Sequence, residues 1–368
     1  MTGKKMIAAA VSALVLAAGI YFAYARWAGS PGADRANLLG ALPADASAVI
    51  YANFAELRQG EILNSISSWS AAATTDADYK QFVNETGFNY EKDLDQVAVA
   101  VKNRGTVRNY FVLVGGGFDR RKIEAYLRKN GSSESKNGRE IFHLAASVPG
   151  RTITVAFLSD RRIALTDSDD LNVELEVSQR GAGRAEWTER FERLAGTPIF
   201  AVIRQDAAIG ALLSNQTPGG FRSPQLGQLL NQLLWVSIAG KPEGKEFRAV
   251  IEGECPNEMT MRQLSDFLNG ITIMASAGLN DSKLRQQMDP AEREAYLQLL
   301  NSVDVMKLDR GTSKSVRVTF VVTSEIWGKL TQAATKPEEE KAASGVKGNP
   351  PANRKKNGGQ KQIARRPE

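Results

Sequence analysis

The chain has 368 residues, 42% hydrophobic and 24% charged, the composition of a globular protein with room for two domains of ordinary size. Its net charge of +6 sits at the ends: Lys4, Lys5 and Arg26 at the start, then nine Lys/Arg against four Glu from Lys336 to Glu368. The body between is slightly acidic, so the charge gives no reason to expect nucleic acid, and a single cysteine, Cys255, excludes an internal disulfide and a cysteine-rich metal site.

The run from Met6 to Ala25 carries no charge over twenty residues. At about 1.5 Å per residue it matches a bilayer's hydrocarbon core. Lys4 and Lys5 before it, and Arg26 and Trp27 after it, suit the two interfaces. The expectation is a single-pass transmembrane signal-anchor over residues 1–27, with the N-terminus inside the bacterial cytoplasmic membrane and a periplasmic body. The alternative is a cleaved signal peptide, since Ala23-Tyr24-Ala25 has the small-x-small form of a cleavage site. Cys255 lies too far along the chain to be acylated as a lipoprotein cysteine. Residues 28–40 read as a linker, broken by Ser30-Pro31-Gly32.

A first α+β domain is expected over 41–183. Ala48 to Ala52 reads as a strand, and 54–68 and Asp76 to Gly87 read as helices. Val97, Val99 and Val101 alternate with Ala98 and Ala100, and Tyr110 to Val114 is apolar on both faces, as a covered strand is. Gly115-Gly116-Gly117 leads to Asp119, placed as the N-cap of a helix that ends at Asn130-Gly131. Strands follow at Glu140–Leu144, Thr152–Leu158 and Arg162–Thr166. A second α+β domain is expected over 184–332. It has a helix at Ala185–Ala195, a strand at Pro198–Ile203, and helices at Ala207–Leu213 and from Ser223 with a leucine stripe at 226, 229, 230 and 233. Strands at Trp235–Ala239 and Phe247–Glu252, a helix ending at Asn269-Gly270, a helical insertion near 271–302 and a strand at Ser315–Thr323 complete it.

Strand, helix, helix, strand, strand, glycine turn, helix and Asn-Gly thus occur twice, at offsets near 140–150 residues. The fold class expected is α+β, an internal duplication of two similar halves. Each half is an antiparallel sheet with amphipathic helices on one face, the two sheets side by side or run on as one. Residues 333–368 form a basic tail with almost no large apolar residue, expected to be disordered.

The Leu42-Pro43-Ala44-Asp45-Ala46 start, with the strand and the Phe-x-x-Leu-Arg helix after it, resembles an uncharacterised bacterial family of N-terminally anchored exported proteins. The turn at Gly115 to Leu127 fits the same resemblance, which spans about residues 40–170. It implies export and no assigned reaction.

No catalytic, cofactor-binding or metal-binding residue is assigned, and no cofactor is expected. His143 is the sole histidine and stands in a strand, where a residue facing solvent or a polar neighbour is its ordinary role. The glycine triplet lacks the later glycine of a dinucleotide fingerprint and the Lys of a P-loop. Asp167, Asp169 and Asp170 lack the Gly and distant Glu of a calcium loop. Glu252 and Glu254 share a strand face, as a carboxylate pair or as charges guarding a sheet edge. Cys255 reads as a small half-buried residue. The function expected is non-enzymatic binding, scaffolding or envelope assembly, with a carrier of an apolar ligand or lipid and a carboxylate-based hydrolase as alternatives. Partners expected are the membrane through residues 6–25, an anionic polymer or lipid through Arg354-Lys355-Lys356 and Arg365-Arg366, and a protein.

Overall fold

The computed structural model describes residues 31–59, 77–104, 107–146, 151–167, 171, 184–205, 228–282, 286, 288–326 and 328–329. In chain order these form α1 (Pro31–Gly40), β1 (Ala48–Asn53), α2 (Phe54–Leu57), α3 (Ala77–Thr86), α4 (Tyr90–Asp93), β2 (Leu94–Arg104), β3 (Val107–Gly116), α5 (Arg120–Asn130), β4 (Ser132–Lys136), β5 (Arg139–Ala145), β6 (Thr152–Ser159) and β7 (Arg162–Thr166). Then come α6 (Arg184–Arg193), β8 (Ile199–Arg204), β9 (Trp235–Glu243), β10 (Glu246–Cys255), α7 (Glu258–Asn280), α8 (Pro290–Asn301), β11 (Asp304–Asp309) and β12 (Lys314–Thr323).

All twelve strands join one antiparallel sheet in the order β11-β12-β10-β9-β8-β1-β2-β3-β7-β6-β5-β4. This corrects the expectation of two similar halves, each with its own sheet. β1 pairs with β2 on one side and with β8 on the other, Val49 standing opposite both Ala100 and Val202. The ladder is continuous through that junction, and no duplication into two halves is seen. Sequence pattern sees each strand alone; it does not see that β1 has a partner about 150 residues later.

The transmembrane expectation is also corrected. No helix among the described residues is long and apolar enough to cross a membrane. Residues 6–25, on which the signal-anchor and the single-pass periplasmic placement rested, lie outside the described residues. The stretch read as a linker carries α1, whose Leu38 and Leu39 are buried against the sheet.

Local chemistry explains most boundaries. Asp119 caps α5 by accepting the Lys122 amide at 3.2 Å, and Asn257 caps α7 by accepting the Thr260 amide at 2.9 Å. Asp289 does the same for α8, with Pro290 at the first helical position. Asn137 and Gly138, at φ 54° and 76°, make the two-residue turn that folds β4 back on β5. The helix from Glu258 passes through Asn269-Gly270 and stops at Asn280, because Gly270 keeps a helical backbone and helix-forming residues follow it. The insertion expected near 271–302 is therefore the end of α7 and all of α8. Expected helices at 60–68 and 207–213, and the start of the leucine helix at 223–227, lie outside the described residues.

The sheet separates two apolar layers. On one side α1, α6 and the 41–46 loop cover Val49, Tyr51, Ala98, Phe111, Phe200 and Val202. On the other, α2 and α4 pack at β2, α3 and α5 at the β7-β6-β5 end, and α7 and α8 at the β10-β12-β11 end.

Candidate functional site

Cross-strand register places one residue from each strand on a single line. Val305, Val318, Ile251, Ile238, Ala201, Ile50, Val99, Val112, Leu165, Val155, Phe142 and Ser133 stand opposite one another in turn, from β11 to β4. Eleven of the twelve are apolar. Side chains on one line share a face, because the strand period is two. At the β4 end the line is sealed: Val155 is 4% exposed and Phe142 0%. At the centre it is open: Ile50 is 36% exposed, Ile238 41% and Ile251 36%. The flanking positions Ala52, Ile199, Ala249 and Phe320 are apolar and half-buried. Strands lie about 4.8 Å apart, so β10 to β1 gives an open apolar floor about 14 Å wide. No charged residue of β1, β8, β9 or β10 points to this face, since their charges fall on the alternate positions. The ring of Phe247 lies over Gly240, where an added Cβ would sit 2.2 Å from its Cζ.

The opposite face of the same strands carries a polar cluster under α6. Glu254 (5% exposed) accepts from Arg190 at 2.5 Å and pairs with Arg193 at 3.0 Å. Glu252 (8% exposed) accepts from Arg310 at 2.6 and 3.0 Å and from Arg317 at 2.8 Å. The Arg190 guanidinium stacks 3.9 Å from the Trp235 ring centre, and Trp235 meets Trp187 edge-on at 4.9 Å. Burial would raise the Glu252 carboxyl, but the hydrogen bonds from Arg310 and Arg317 outweigh it and hold the group below its ordinary value. Glu252, held ionised by Arg310 and Arg317, cannot donate a proton near neutral pH, and Glu254 ties the sheet to α6 through Arg190 and Arg193, so the pair singled out in the sequence is built into structural ion pairs. Nor does it guard an edge: β10 lies inside the sheet, between β9 and β12.

The other residues singled out in the sequence stand apart from one another. His143 is half-buried in β5, its Nδ1 3.3 Å from the Thr154 hydroxyl and its Nε2 3.5 Å from Glu134. The glycine triplet is a close backbone contact: the Gly117 amide donates to the Asp93 carbonyl at 2.6 Å, and a Cβ on Gly116 would lie 2.0 Å from that oxygen. Asp167 accepts the Tyr110 amide at 2.7 Å and pairs with Arg151; Asp169 and Asp170 lie outside the described residues. Among the described residues no group of three His, Cys, Asp or Glu could hold a metal. Cys255 is 3% exposed beneath α7, and burial pushes its thiol up to about 11, so it is a protonated core residue. Of the leucine stripe, Leu233 is buried in the same layer. The basic tail lies outside the described residues.

The open floor escaped sequence reading. The alternation of Ile50, Ile238 and Ile251 with their neighbours marks strands, and nothing in it says which face a helix will cover. No family model matches the chain, and no curated protein matches it. Among solved structures it is similar to crystal forms III, I and IV of TP0453. The identities are 10%, 12% and 12%, each at a TM-score of 0.42, over 80%, 83% and 82% of this chain and 97%, 99% and 99% of the other.

Proposed function

We propose that the protein is a non-enzymatic binding or scaffolding component of the bacterial envelope, and that the apolar floor around Ile50, Ile238 and Ile251 seats an apolar surface of a partner protein. The observation that carries this is the floor itself. Ile251 and Ile238 are exposed side by side and Ile50 is exposed across Ala201 from them, all on internal strands, and such apolar patches on a folded chain mark interaction surfaces. The envelope setting rests on the resemblance carried by Leu42 to Ala46. The basic residues Arg354 to Lys356 and Arg365-Arg366 add a second contact, with an anionic polymer or lipid. The hydrolase alternative has lost its candidate pair, because Glu252 and Glu254 are each matched by arginines.

A photo-crosslinking residue at position 238 of the full chain, used in cells, tests the main reading. One discrete product is expected at 238, and Ile251→Lys should abolish it without lowering the chain's abundance. A uniform smear that survives Ile251→Lys, or a purified chain with turnover lost on one substitution, would refute the proposal.

A further inference from the structure

A separate concavity lies on the covered face of the sheet, between α1 and α6. It is a cleft of about 350 Å³, at the small end of the range for small-molecule sites. Leu39, Leu42, Val49, Trp187 and Phe191 supply its apolar walls. Arg35 is the one cation lining it among the described residues. Its Nη2 donates to the carbonyls of Phe191 and Leu194 at 3.2 and 3.0 Å, and Nη1 donates to that of Thr197 at 3.5 Å. These acceptors lie at the C-terminal end of α6, where carbonyls lack helical partners. The guanidinium also stands 5.2 Å from the Tyr51 ring centre and 5.0 Å from that of Phe200. Three of its five N–H groups are used in this way; Nε–H and one hydrogen on Nη1 are not. Glu192 also lines the cleft, but it is exposed and makes no ion pair with Arg35. Arg35 is thus a half-buried cation in a largely apolar cleft that makes no ion pair among the described residues; burial lowers its pKa from the ordinary value, although the charge of Glu56 acts the other way.

We propose that this cleft binds a small amphiphilic acid, an aliphatic carboxylate whose tail lies against Leu39, Leu42 and Trp187 and whose head group pairs with Arg35. The Arg35 Nε–H and remaining Nη1–H can each donate one hydrogen bond to a carboxylate, and its charge complements that head group; the parallel fork is not free, because both Nη2 hydrogens go to Phe191 and Leu194. A bound anion adds a counter-charge in direct contact with Arg35, which neither Glu192 nor Glu56 provides, and the tail is held by removal of apolar surface from water. The cleft and the isoleucine floor are on opposite faces of the sheet, so this inference stands or falls independently of the partner-protein reading.

Dodecanoate, with dodecanol as its uncharged counterpart, is titrated into the full-length chain by calorimetry. Saturable one-to-one binding is expected, with dodecanoate preferred by about tenfold or more. Arg35→Met should remove that preference and leave dodecanol binding unchanged. Ala36→Trp, at an exposed wall position, should block both ligands and leave crosslinking at position 238 intact. Arg35→Lys keeps the charge, loses the directed Nε–H and Nη1–H donors and should weaken dodecanoate alone. Absence of saturable binding, equal affinity for the two ligands, dodecanoate binding that survives Ala36→Trp, or equal weakening of both ligands by Arg35→Lys would each overturn the assignment.

Discussion

The two faces of β1 and β8 are built from the same kind of residue and end in different states. Val49, Tyr51, Phe200 and Val202 point one way and are at most 1% exposed. Ile50 and Ala201 point the other way, and Ile50 is 36% exposed. The difference lies in what packs above them. On the first face α1 and α6 bring Leu38, Leu39, Trp187 and Phe191 down onto the strands. On the second the described helices sit over β2 and over β10 to β12 and leave the strands between them uncovered. Apolar alternation therefore specifies a strand, and the long-range placement of helices decides whether a given face becomes core or surface.

Substitution on the covered face should cost most. Phe200→Ala deletes a ring that stacks on Tyr51 at 5.0 Å and should lower unfolding free energy by about 3–5 kcal/mol, measured by urea denaturation. Ile238→Ala on the open face, by contrast, should cost about 1 kcal/mol or less, since 41% of the residue is already in water. Equal losses would erase the distinction between the faces.

The polar cluster should come next. Glu252→Gln leaves Arg310 and Arg317 facing an uncharged amide and should cost about 1.5–3 kcal/mol at neutral pH. Its pH dependence has a definite sign. The folded-state pKa of Glu252 is below its ordinary 4.5, so its contribution is full above pH 4.5 and disappears as pH falls through the folded-state value. The stability difference between wild type and Glu252→Gln should therefore shrink on acidification below pH 4.5, followed by denaturation at a series of pH values.

A smaller effect is expected where the open face is most tightly packed. Gly240→Ala drives a methyl into the Phe247 ring and should cost about 1–3 kcal/mol. Phe247→Leu in the same chain should recover part of the loss, read as a shift in the denaturation midpoint. The smallest effect is reserved for Ile251→Ser, which should change stability by about 1 kcal/mol or less and yet reduce binding of a solvatochromic dye to the floor.

Much of the fold was legible in local chemistry. Asp119 caps α5 as expected and the helix does end at Asn130-Gly131, although Gly131 is extended rather than left-handed and its small size serves a close approach to the His143 carbonyl; Val97 and Val99 do face away from Ala98 and Ala100. The parts that were not legible depend on distant partners. β4, Ser-Ser-Glu-Ser-Lys, is fully exposed and has no apolar alternation; it is a strand because the Asn137-Gly138 turn lays it on β5. Gly270 sits inside α7 although Asn-Gly is a stop signal, because the ten residues after it continue the helix. Glu252 and Glu254 read as a carboxylate pair or as charges guarding a sheet edge, since nothing beside them in sequence announces Arg190, Arg310 or Arg317. The candidate site was less legible still. The isoleucine floor and the Arg35 cleft are both made by elements that meet only in the folded chain.

The pairing of β1 with β8 also has a consequence in time. β1 can form its ladder with β2 early, since β2 follows within about 50 residues. Its other edge has to wait until β8 has been synthesised, about 150 residues later. At a translation rate of about 5–20 residues per second, that edge stays unpaired for about 8–30 s. Throughout that interval a nascent chain displays an open strand edge of the sequence Ala-Val-Ile-Tyr-Ala-Asn, the type of edge that recruits foreign strands. Synthesis of this protein is thus most vulnerable to misassembly before residue 204 leaves the ribosome, and a pause or truncation in that stretch should send the chain to aggregates or chaperones.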